Sequence, residues 1–181
     1  MVCTLAKAFL NCSLGVIPLV AVQHSSMPAG MSHEDHKKQM AEMKQRGDAA
    51  MGFDQDKVRH HFLLTPNGGV IEVSVNGEAG AATLLQIREH LQSISKQFTA
   101  GDFKSPLATH AEAPAGVSVM MDRKDRIRYA YEETPYGAKV VINTKDRKAR
   151  TAVHDFLRYQ IREHATGDPI TPPSSRATPP K

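Results

Sequence analysis

Methionine and histidine crowd into one short stretch of this sequence. Residues 23–51 hold five of the eight methionines (Met27, Met31, Met40, Met43, Met51) and three of the nine histidines (His24, His33, His36). A thioether is a soft donor that selects Cu(I) or Ag(I), and imidazole suits copper generally. His33, His36, Met40 and Met43 follow one another at intervals of 3, 4 and 3. On a helix that spacing lays the four side chains along one stripe. They are the first candidate metal site, with copper or silver as the ion. The stripe has a second reading, as a helix that docks its methionines on a neighbouring surface, or as a plain linker. It contains no Leu, Ile or Val, the residues a docking helix ordinarily uses.

The other histidines are dispersed. His60 and His61 are adjacent in an alternating run, so they point to opposite faces and do not easily chelate one ion. His60 shares the face of Phe62 and Leu64, and His61 faces water. His90 and His154 lie at the margins of two helical apolar stripes, and His164 falls on the buried face of the second, where the first has Phe98. A hydrogen-bonded interior role is ordinary for such residues. Gathered across a fold, His60, His90, His110 and His164 form the second candidate metal site.

Catalytic signatures are missing from the sequence: it has no GxSxG elbow, no HExxH, no P-loop and no GxGxxG. Two basic runs stand out, RKDRIR at residues 123–128 and KDRKAR at residues 145–150. The second opens a helix, where an anion would be favoured and basic side chains are not. Its ordinary alternative is a solvated turn capped by Asp146. These residues favour a binding protein over an enzyme. The first expectation is a protein that binds or handles a soft transition metal. The alternative is a non-catalytic domain for a small anion or a protein partner, with the arm a linker. A transferase or hydrolase without a recognisable motif is the remote third.

The elements that must position these residues come in two similar units. Residues 60–76 read HHFLLTPNGGVIEVSVN and residues 127–143 read IRYAYEETPYGAKVVIN, each two alternating runs around a Thr-Pro turn. A shift of 67 aligns Phe62 with Tyr129, Val73 with Val140 and Asn76 with Asn143. Helical stripes follow: Leu84, Ile87, Leu91, Ile94 and Phe98 in the first unit, Val153, Leu157, Ile161 and His164 in the second. Each ends at Gly-Asp, a helix stop. The expectation is an α+β two-layer sandwich, a tandem ββα duplication with a four-stranded antiparallel sheet covered by two helices. Between the units, PLATHAEAPAG reads as a loop and residues 117–126 as a short helix. Residues 32–46 read as a further helix.

Residues 8–22 form an apolar run behind Lys7, too short for a comfortable membrane span, with polar residues after it. They read as a signal peptide, residues 1–22, cleaved near Ala21, which implies a periplasmic or secreted protein with no stable membrane span. Both cysteines, Cys3 and Cys12, fall within it, so the mature chain is expected to lack thiol chemistry and disulfides. The remainder divides into a His/Met-rich arm at 23–52, the duplicated domain at 53–168, and a Pro-rich tail at 169–181 expected to be disordered. The net charge of +4 does not mark a nucleic-acid binder, because residues 53–168 carry 16 basic and 15 acidic side chains.

Two stretches carry a resemblance. MGFDQDK at residues 51–57 followed by HHF at 60–62, and HDFLRYQIREHATGD at residues 154–168, resemble a family of small exported bacterial proteins of unknown function. The similarity spans roughly residues 31–168. Some members of that family carry the label aspartate carbamoyltransferase. This chain has no Ser-Thr-Arg-Thr-type phosphate motif and is too short for that two-domain enzyme, so the resemblance implies no activity. The family also tends to have His-Asp after an apolar run where this chain has THAE, residues 109–112, which sets His110 apart.

Overall fold

The computed structural model describes residues 32–77 and 80–173. The expected signal peptide and the end of the tail lie outside the described residues. The elements run in the order α1 (His33–Met51), β1 (Val58–Thr65), β2 (Gly68–Val75), α2 (Ala81–Ala100), α3 (Lys104–His110), α4 (Val117–Asp122), β3 (Ile127–Thr134), β4 (Gly137–Thr144) and α5 (Arg147–Glu163). Among these residues no helix is long and apolar enough to cross a membrane.

The four strands make one antiparallel sheet in the order β1-β2-β4-β3. Each hairpin turns on two residues, Pro66 and Asn67 in the first and Pro135 and Tyr136 in the second, and the two second strands meet at the centre. Reciprocal bonds tie the hairpins together. The Thr144 amide donates to the Asn67 carbonyl at 2.9 Å, and the Val75 amide donates to the Tyr136 carbonyl at 2.8 Å. Gly68 and Gly137 begin the central strands because a Cβ at either would run into the facing backbone, at Ile142 O and Val73 O respectively.

The strands correct the expected offset. Val58 and Ile127 open the two hairpins and Gly68 and Gly137 open their second strands, so the hairpins repeat at 69 residues, not 67. His60 is therefore the counterpart of Tyr129, and Phe62 that of Tyr131. A slip of two keeps every side chain on its face, because the strand period is two. The face assignment was unaffected. The helices repeat at a different distance: α2 stops at Gly101 and α5 is followed by Gly167, both with positive φ.

Both helices lie on one face of the sheet. Phe62, Leu64, Ile71, Val73, Ala138, Val140 and Ile142 meet Ile87, Leu91, Ile94 and Phe98 of α2 and Val153, Phe156, Leu157 and Ile161 of α5 in a single buried core. Each such side chain contributes about 1.5–3 kcal/mol when fully buried. The architecture is the expected α+β two-layer fold.

One local expectation needs correction and one helix is longer than expected. PLATH is not loop but most of α3, with Pro106 in its first turn, where the missing N–H would have no intrahelical partner. The helix stops at Ala111, which takes the left-handed conformation at φ 59°. The arm is helical as expected over residues 32–46, and the helix runs further. From Ser32, whose side chain caps the Asp35 amide, it is a helix that reaches Met51 and packs on α3. Arg46 Nε donates to the Thr109 carbonyl at 3.2 Å at that contact.

Candidate ligand cavity

The fold brings the four dispersed histidines to one place. His60 comes from β1, on the inner face with Phe62. His90 comes from α2, His110 is the last residue of α3, and His164 caps the C-terminus of α5. All four line a cavity of about 70 Å³, together with Met51, Ser105, Thr109, Gln160 and the apolar side chains of the core. The His60 ring lies 5.4 Å from that of His164, nearly parallel, and the His110 ring stands edge-on to His164 at 5.2 Å. Phe53 packs against His60 and, edge-on, against His90.

Burial keeps these imidazoles neutral. It lowers the pKa of His90 from 6.5 to about 4. Burial and then the neighbouring His90 and His61 lower His60 to about 4, and burial with His60 and His110 beside it lowers His164 to about 3. His110 is also lowered by burial, against its hydrogen bond to Gln160, which works the other way. Among the described residues no carboxylate lines the cavity, and Glu163 and Glu112 act on His110 only from outside it.

One contact sets the chemistry of His110. Its Nε2 donates to Gln160 Oε1 at 3.0 Å. In a neutral ring that donation leaves Nδ1 as a lone pair. His110 is 9% exposed and Gln160 is 4% exposed, and His110 Nδ1, Gln160 Nε2 and His60 Nε2 have no hydrogen-bond partner. A buried polar group left unpaired costs about 1–3 kcal/mol. Three around one cavity call for something to fill it. Tyr159 holds the other side of the His110 ring, edge-on at 5.1 Å, and its hydroxyl donates to Glu112 Oε1 at 2.7 Å.

The first candidate set is divided. His33 is exposed in the first turn of α1. His36 and Met40 lie on α1, and their side chains are outside the described set. Met43 is half-buried and lines an outer groove of about 550 Å³ between α1, β1 and the end of α5, together with His60, His61 and His164. Among the described residues no group of three or more His, Cys, Asp or Glu side chains stands in position to hold a metal ion. The cavity thus offers separate lone pairs, not a closed cage.

The remaining histidines have structural partners. His61 shares a 2.9 Å hydrogen bond with Asp168, and His154 Nε2 donates to the Thr65 carbonyl at 2.9 Å. The start of α5 is capped by Asp146, the ordinary reading of that basic run. Asp146 accepts from the Ala149 amide at 2.9 Å and pairs with Arg123 at 2.8 Å.

Sequence reasoning passed over Gln160 and Met51. Gln160 had a signal, since it lies three residues after Leu157 and four before His164, a polar residue on an apolar stripe. Comparison with family models, curated proteins and solved structures finds no match for this chain.

Proposed function

We propose that this chain is an exported, non-catalytic binding protein whose ligand is a soft univalent metal ion of the Cu(I) or Ag(I) class, held in the histidine cavity and not on the arm. The observation that carries the proposal is the pair of buried imidazole nitrogens, His110 Nδ1 and His60 Nε2, without a hydrogen-bond partner among the described residues, on two rings that line one cavity. Metal-ligating histidines characteristically donate their other nitrogen to a fixed partner, which locks the tautomer. Gln160 stands in that place for His110.

The charge argument favours a univalent ion. Taking a charge out of water is expensive, more so for two charges than for one. A lining without carboxylates offers nothing to neutralise a divalent ion. Cu(I) also tolerates two or three ligands, here two imidazoles with the Met51 thioether, which suits a site that is not a cage. A second reading, a small neutral molecule bearing both a donor and an acceptor, is favoured by the unpartnered Gln160 Nε2 and the apolar walls.

The test is a calorimetric titration of untagged protein with Ag(I), alongside His110→Leu, His60→Leu and His33→Ala. The proposal expects one ion per chain and a loss of at least about tenfold in affinity for each cavity variant, with His33→Ala unchanged. Binding that survives both cavity variants and falls with the arm variant would return the site to the helical stripe. Native mass spectrometry of the same protein carrying an organic adduct, with no silver taken up, would establish the second reading.

A further inference from the structure

The same two rings wall both the inner cavity and the outer groove. His60 and His164 line each of them. Their near-parallel stack, 18° between planes, stands where the two spaces adjoin. The helix α1 runs past both. It presents Met43 to the groove and Met51 to the cavity, eight residues and about 12 Å apart along the helix.

The corner that holds α1 against the groove is heavily tied. Lys44 pairs with Asp48 at 2.9 Å, Asp56 at 3.3 Å and Asp54 at 3.4 Å. Gln55 closes it, its amide donating to Asp48 Oδ1 at 2.9 Å and its side chain to the Lys44 carbonyl at 3.0 Å. Met43 precedes Lys44 on α1, is half-buried and lines the groove.

We infer that the groove between α1 and β1 is the entry port of the cavity, with the His60–His164 ring pair as its gate and Met43 as the last soft donor outside it. This rests on the proposed metal function. A soft ion exchanges from donor to donor without being released to water. Met43 holds it at the gate, rotation of the His60 or His164 ring passes it inward, and His110 receives it. Met43 then sets how fast the ion enters, while the cavity ligands set how tightly it stays.

The experiment follows Ag(I) uptake from a chromogenic chelator by stopped flow, with the end point giving affinity. The variants are Met43→Leu, which keeps the volume and removes the sulfur, and Met43→Cys, which restores a soft sulfur on a smaller side chain. The port predicts uptake about tenfold slower for Met43→Leu, equivalent to one factor of ten in rate constant, with affinity within about twofold of the parent and speed restored by Met43→Cys. Unchanged speed in Met43→Leu, or a parallel loss of speed and affinity, would overturn the port while leaving the cavity site intact. No uptake by the parent protein would overturn the metal function itself.

Discussion

His110 Nε2 donates to Gln160 Oε1 at 3.0 Å, and both side chains are buried. That bond joins the end of α3 to the inner face of α5 and fixes which nitrogen of His110 is left as a lone pair.

Gln160→Leu removes the acceptor and leaves the packing volume nearly unchanged. The His110 proton is then free to sit on either nitrogen. Silver affinity is expected to fall about 10–100-fold, while stability changes by about 1 kcal/mol. Nitrogen-15 NMR of the parent's imidazoles is expected to show His110 protonated at Nε2 only. A mixed tautomer in the parent would refute the assignment.

The metal-free protein is expected to be acid-sensitive. His60, His90 and His164 are held neutral in the fold, at about 4, about 4 and about 3, against 6.5 for an ordinary histidine. Below pH 6.5 the unfolded chain takes up protons that the folded chain refuses. Stability from these groups is therefore complete above that pH and declines as the pH falls towards 4, by a total on the order of several kcal/mol. Urea unfolding at pH 7.5, 5.5 and 4.5 measures the slope. His90→Leu is expected to flatten it, and an unchanged slope would show that His90 does not supply the effect.

Much of this arrangement was legible in the residues. Alternation placed His60 on the core face with Phe62 and Leu64, and the stripe through Val153, Leu157 and Ile161 placed His164 inside. Face and period survive errors of register, which is why a two-residue misalignment of the hairpins did no harm. Convergence was not legible. His110 reaches the His164 ring and the cavity that His60 lines only because α3 is a helix, and Pro106 hid that helix by sitting in its first turn. The role of Met51 depends on where α1 docks, which no local pattern encodes.

The contact of Asp168 with β1 was similarly hidden, since His61 and Phe62 lie more than a hundred residues earlier. It accepts from the Phe62 backbone N–H and from Thr166 Oγ1, at 2.9 and 2.7 Å, and bonds His61 at 2.9 Å, closing part of the open edge of β1. Burial works to raise its pKa, but these donors bring it below the usual carboxylate value. Asp168→Ala is expected to cost about 1–3 kcal/mol and to speed hydrogen exchange at the Phe62 amide. Unaltered exchange there would show that the contact does not hold the edge.

The central strand pairing has its own test. Gly68→Ala and Gly137→Ala each drive a methyl into the facing backbone, so each is expected to cost on the order of 2–4 kcal/mol. Gly80→Ala, which meets nothing within 4 Å, is expected to cost less than about 1 kcal/mol as an N-cap change. Equal losses in thermal unfolding would contradict the close approach of the two hairpins.

The central claim is that the cavity, and not the arm, takes the ion. Its most direct measurement is the NMR spectrum of the untagged protein, labelled at imidazole nitrogen and methionine methyl groups, as one equivalent of Ag(I) is added. His110 Nδ1 and His60 Nε2 are expected to shift and to show coupling to silver, while His33 stays where it is. Coupling confined to His33 and His36, with the Met40 and Met43 methyls shifting and the cavity histidines still, would contradict it.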